Sequence, residues 1–92
     1  MNCIKFLIFG KVQKVYYRKY ISQALNKEGY IGYIKNLSDG SVEVVVKNYA
    51  NMDISKILST LQKGSPKSEV NSIEMGECSE EIIFNQKFEV RY

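Results

Sequence analysis

The 92-residue sequence predicts an α+β, ferredoxin-like sandwich. This is a split β-α-β arrangement in which two helices cover one face of an antiparallel sheet of four to five strands. Three observations carry the expectation. Apolar residues alternate near the N-terminus, two later segments carry apolar residues at helical spacing, and the segments follow in the order β-α-β-β-α-β with room for a fifth strand.

In "CIKFLIF", Ile4, Phe6 and Ile8 alternate with Cys3, Lys5 and Leu7, a strand with one firmly buried face. From Tyr17 the period lengthens. Tyr17, Tyr20/Ile21 and Ala24/Leu25 form the apolar stripe of a helix that a C-cap at Gly29 ends. "YIGYIKN" returns to β-type residues, "LSDG" supplies a turn, and "SVEVVVKN" completes a hairpin. "NMDISKILSTLQKG" sets Ile54, Ile57, Leu58 and Leu61 on one helical face. Asn51 is the expected N-cap, Asp53 suits the positive end of the helix dipole, and Gly64 closes the helix. The Ser65–Pro66 pair blocks its continuation. "EVNSIEM" and "NQKFEVRY" read as strands, and Glu77 to Glu81 as a solvated acidic loop.

Length and composition fit one domain over residues 1–92, with 45% hydrophobic and 25% charged residues. No apolar run approaches the ~20 residues that span a bilayer, and "MNCIKFLIFG" lacks a signal-peptide cleavage site. A cytoplasmic protein without membrane contact, and a monomer, is expected. Cys3 and Cys78 are too few for a disulfide scaffold or a zinc site; a single disulfide stays open, with ordinary thiols the expected state. The absence of histidine removes the commonest general acid/base and the usual Ser-His and Cys-His pairs.

Charge is uneven. Residues 1–27 hold six cations and no acid, whereas residues 28–92 hold seven cations and ten acids. An anionic partner for the first third of the chain follows. The positive charge concentrates in "GKVQKVYYR", Gly10 to Arg18, where a strand becomes a helix. The first N–H groups of a helix have no intrahelical partners, and the dipole favours an anion there. A guanidinium adds a planar fork that meets two phosphate oxygens at once. Eleven of the thirteen cations are lysine, so the choice of arginine at position 18 is informative. Neither G-x-x-x-x-G-K-[ST] nor a helix-opening G-x-G-x-x-G occurs, which sets this loop apart from nucleotide P-loops.

"FGKVQKVYYR", followed by "GYIGYIKNLSDGSVEV", resembles the two signature stretches of the acylphosphatase family, and "KGSPKSEV" and "FEVRY" look like its later segments. The resemblance spans nearly the whole chain in order and implies the ferredoxin-like fold. It further implies a phosphate cradle from Lys11 through Val12, Gln13, Lys14, Val15, Tyr16 and Tyr17 to Arg18, which donates backbone N–H groups. By the same resemblance Arg18 is the catalytic arginine that binds the phosphoryl group, and Asn36 holds the attacking water. From its own sequence context Asn36 reads as turn chemistry. The chain departs from the family pattern at Lys14, where glycine is usual; a lysine held at positive φ costs on the order of 1–2 kcal/mol. Tyr16 is bulky at a position the family varies.

The implied reaction is hydrolysis of a carboxyl-phosphate anhydride to carboxylate and inorganic phosphate, without a covalent phosphoenzyme, a metal or another cofactor. Two alternatives are weighed against it. One is a catalytically weak anion-binding module of the same fold, a relative of domains found in larger hydrogenase-maturation and carbamoyl-transfer enzymes. The other is a small RNA-binding sandwich using the basic first third and the seven tyrosines. "SVEVVVKN" lacks the interleaved aromatics that RNA platform needs, so no nucleic-acid partner is expected.

Overall fold

The computed structural model describes residues 3–47, 52–78 and 84–91. The chain runs β1 (Cys3–Lys11), α1 (Tyr17–Lys27), β2 (Gly32–Asn36), β3 (Val42–Lys47), α2 (Ile54–Lys63), β4 (Glu69–Glu77) and β5 (Phe88–Val90). The five strands form one sheet in the order β4-β1-β3-β2-β5. β1 pairs antiparallel with β3 and β4, and β3 pairs antiparallel with β2. The expected antiparallel four are therefore present, and the additional strand departs from them: β5 lies parallel to β2. Direction explains this. A chain that descends along β4 must ascend next, and at the far edge its neighbour β2 also ascends.

Alternation in the strands decides which side chains meet the helices. Phe6 and Ile8 of β1, Ile34 of β2 and Val42, Val44 and Val46 of β3 are buried in one cluster with Tyr17, Ile21 and Leu25 of α1 and Ile57 and Leu61 of α2. Of the Tyr20/Ile21 pair it is Ile21 that turns inward, while Tyr20 stays exposed. The intervening strand residues Cys3, Tyr33 and Val45 join Cys78 in a second cluster on the opposite face, packed against Phe84.

Several boundaries differ from the sequence reading. β1 continues past Phe9 to Lys11 because a register shift at Phe9/Gly10 lets pairing with β4 resume at Val70 and Glu69. Gly10 is required there. It has φ 135°, and a Cβ would collide with the Glu69 carbonyl. α1 stops at Lys27, with Gly29 at φ 85° just beyond. The N-cap of α2 is Asp53, whose carboxylate accepts from the Lys56 N–H at 3.0 Å. Asn51, the expected cap, lies outside the described residues, as do Ser79 to Glu81 of the acidic loop; Glu77 is the last residue of β4. Cys3 and Cys78 form a disulfide, with Cα atoms 5.7 Å apart. The expectation of ordinary thiols is thereby corrected. Antiparallel pairing of β1 with β4 brings residues 75 apart in sequence to one end of the sheet, a proximity that sequence separation conceals. Among the described residues no helix is long and apolar enough to cross a membrane.

Candidate active site

The register that builds the sheet also builds the site. Ile8, near the end of β1, stands opposite Val42 of β3, and Val42 stands opposite Asn36, the last residue of β2. The loop that leaves β1 therefore passes the end of β2 before entering α1. A concavity of about 590 Å³ opens there, lined by residues of the loop, the first two turns of α1, Asn36 and Val90 of β5.

Residues 12–17 alternate between anchors and exposed positions. Val12 and Val15 are buried in the helix-side core. Gln13 donates through Nε2 to the carbonyls of Leu37 and Ser41, each at 2.8 Å, and so ties the loop to the β2–β3 turn. Ser65, itself buried, donates its hydroxyl to the Val15 carbonyl at 2.6 Å. Tyr17 is buried and donates its phenol to the Leu61 carbonyl at 2.7 Å. Burial pushes the Tyr17 phenol pKa far up, so this donor stays protonated. Gly64 at the end of α2 is fitted against that ring: φ is 60°, and a Cβ would lie 3.0 Å from Tyr17 Cε1. Three anchors on three different elements thus fix a segment with no regular hydrogen-bond ladder.

Between the anchors, Lys14 and Tyr16 face outward and are exposed. Both adopt left-handed backbone, φ 63° and 61°. Lys14 therefore accepts the conformation that glycine would take without strain, and Tyr16 shares it. Tyr16 is also the N-cap of α1, makes no side-chain capping bond, and is followed by a first turn without acid. Such a helix start offers backbone N–H groups and positive potential to an anion.

Arg18 lines the concavity and donates through Nη1 to the Arg91 carbonyl at 3.3 Å. Arg91 itself is fastened twice. Its guanidinium lies 4.2 Å from the centroid of the Tyr33 ring, and its Nε donates to Glu89 at 2.8 Å. Asn36 also lines the concavity, and its Oδ1 is buried without a hydrogen-bond partner among the described residues. An unpaired buried acceptor costs about 1–3 kcal/mol, which sets this oxygen apart from the other buried polar side-chain atoms among the described residues.

Of the residues expected in the cradle, Val12, Lys14, Tyr16, Tyr17 and Arg18 line the concavity together with Asn36. The side chain of Lys11 is exposed at the end of β1, that of Gln13 serves the turn, and that of Val15 enters the core. Sequence reasoning gave no role to Ser65, although it sits in the "KGSPKSEV" stretch singled out above. A small hydroxyl beside a helix-ending glycine was the only available signal. Lys19, Ser22, Gln23 and Val90 also line the cavity and went unmentioned as site residues. On α1, residues 18, 19, 22 and 23 share a face by helical spacing.

The family model described as acylphosphatase matches residues 4–90 of the chain. An acylphosphatase from Dehalococcoides mccartyi is 34% identical over 76 residues, covering 83% of this chain and 84% of the relative. One from Methanocella arvoryzae is 36% identical over 91 residues, covering 99% of this chain and 100% of the relative. The crystal structure of acylphosphatase from Bacillus subtilis matches with a TM-score of 0.85 at 26% identity, over 100% of both chains.

Proposed function

The chain belongs to the acylphosphatase family and is an enzyme that hydrolyses acyl phosphates, and on that premise we propose how the residues of its concavity carry out the reaction. The phosphoryl group sits at the start of α1, in a cradle running from Lys11 to Arg18 whose backbone N–H groups and guanidinium meet its oxygens. Asn36 accepts a hydrogen bond from a water molecule and aims it at phosphorus. The observation that supports this reading best is that one cavity is lined both by Arg18 and by Asn36, whose amide oxygen is buried without a hydrogen-bond partner among the described residues.

The steps balance without further reagents. The water oxygen forms a bond to phosphorus while the bond from phosphorus to the acyl oxygen breaks. The electron pair leaves with the carboxylate, whose conjugate acid has a pKa of about 4 and which needs no proton to depart. The water's proton passes to a phosphoryl oxygen, giving inorganic phosphate. Charge in a loose phosphoryl transition state spreads over the three equatorial oxygens, and fixed donors that need no reorganisation stabilise it there. Arg18 supplies the strongest of these donors, and the anchoring by Gln13, Ser65 and Tyr17 keeps the amides in place. The proposed setting is a monomer in the cytoplasm, acting on small acyl phosphates and not on nucleic acid.

The test is hydrolysis of acetyl and benzoyl phosphate by the purified protein with a chelator present, beside Arg18→Lys and Arg18→Ala. Both variants should lose 10²–10³-fold in turnover, the scale of one transition-state donor. Lysine fails because a point charge does not reproduce a two-pronged contact. Near-full turnover by Arg18→Lys would remove the role given to the guanidinium.

A further inference from the structure

The cavity is larger than the phosphoryl group requires, and the charge around it is one-sided. Its volume of about 590 Å³ lies in the range that accommodates drug-sized ligands, well beyond a phosphate and a two-carbon acyl group. Among the described residues the lining holds three cations, Lys14, Arg18 and Lys19, and no acid. They differ in commitment. Arg18 is half-buried and bonded to the Arg91 carbonyl. Lys14 and Lys19 are exposed, and the ion pairs formed among the described residues engage neither. A phosphoryl group held by Arg18 and the helix start leaves its acyl part to extend outward past these two ammonium groups.

Resting on the family reading above, we propose that Lys14, supported by Lys19, selects acyl phosphates whose acyl part carries a second anionic group, a carboxylate or a phosphate. The backbone of Lys14 favours this role. Lys14, at φ 63°, is exposed and lines the cavity wall. The neighbouring Tyr16 takes the same left-handed conformation and stays 73% exposed. A glycine at position 14 would relieve the strain and give up the charge. The second anion is read at the rim, in water, so the discrimination is modest and sensitive to salt.

The experiment compares kcat/KM for 4-carboxybenzoyl phosphate with that for benzoyl and 4-methylbenzoyl phosphate, a charged acyl group against two neutral ones of similar shape. At low ionic strength the wild-type protein should favour the carboxylated substrate by about three- to tenfold. That ratio should fall towards one in Lys14→Gln and Lys14→Gly, persist in Lys14→Arg, and shrink in 0.5 M salt. Turnover of all three substrates at equal efficiency by the wild-type protein overturns the proposal, as does a preference that survives in Lys14→Gln. Failure of the wild-type protein to hydrolyse any of the three overturns the underlying family reading instead, and this proposal with it.

Discussion

Gln13 and Leu37 are joined across 24 residues by a 2.8 Å hydrogen bond, and the same Gln13 amide reaches the Ser41 carbonyl at 2.8 Å. One side chain thus ties the loop to the turn that follows β2. Gln13→Ala should lower stability by about 0.5–1.5 kcal/mol, because two hydrogen bonds are lost while both carbonyls keep a backbone donor, Gly40 N–H on Leu37 and Leu37 N–H on Ser41. It should also lower kcat by up to about 100-fold, the cost of a misplacement near 1 Å. Gln13→Glu should be worse, since a carboxylate would face two acceptors. Urea unfolding beside steady-state hydrolysis measures both, and wild-type turnover in Gln13→Ala would show that the tether does not position the site.

Asn36→Ala removes the oxygen proposed to hold the water. Its turnover should fall about 100-fold while the inhibition constant for inorganic phosphate moves little. Asn36 Oδ1 is a buried acceptor without a partner among the described residues, so its removal should cost little stability or even add some. A variant that loses phosphate affinity and turnover equally, or one that unfolds, would assign Asn36 a structural role in the β2–β3 turn.

The Arg91 anchor makes the C-terminal side of the site sensitive to acid. Arg91 holds the Glu89 carboxyl below its ordinary value of 4.5, with Asn85 adding a second hydrogen bond. A carboxyl lowered in the folded state adds stability in full above its unfolded pKa, and that stability is lost as pH falls through the lowered folded value. The wild-type protein should therefore lose stability below about pH 4.5 more steeply than Glu89→Gln. Urea midpoints between pH 3 and 6 decide this, and parallel curves would mean that the Glu89–Arg91 pair contributes nothing.

The Cys3–Cys78 bond lies far from the chemistry. β1 begins at Cys3 and reaches the cradle at Lys11, a separation of roughly 25 Å along the strand. Cross-linking residues 75 apart restricts the unfolded chain, a gain of about 4 kcal/mol on the chain-entropy estimate. The double variant Cys3→Ser/Cys78→Ser should lower the melting temperature yet keep turnover at temperatures where it stays folded. Thiol labelling of unfolded wild-type protein checks the premise directly, and two reactive thiols would refute it.

Much of the fold could be read along the chain, because the period of apolar residues depends on local geometry alone. Phe6 and Ile8, or Ile57 and Leu61, enter the core where their spacing places them. The helix N-terminus after a basic loop was equally legible, and its anion preference follows from backbone groups that any helix start exposes. The alternation of strand directions was implicit too, but the choice of β2 as the neighbour of β5 was not. Residue order says nothing of which edge a strand will reach.

The sequence by itself determined the elements, their order, and the position of an arginine in the first turn of α1, just after a basic loop. Only tertiary structure decided that Asn36 lines the same cavity as Arg18, that Ser65 and Gln13 hold the loop between them, that Lys14 keeps a left-handed backbone, and that Cys3 meets Cys78. The reason is physical: periodicity and capping act over a few residues, whereas the Gln13, Ser65 and Cys3 contacts join positions 24 to 75 apart and exist only once strand register has fixed who stands beside whom.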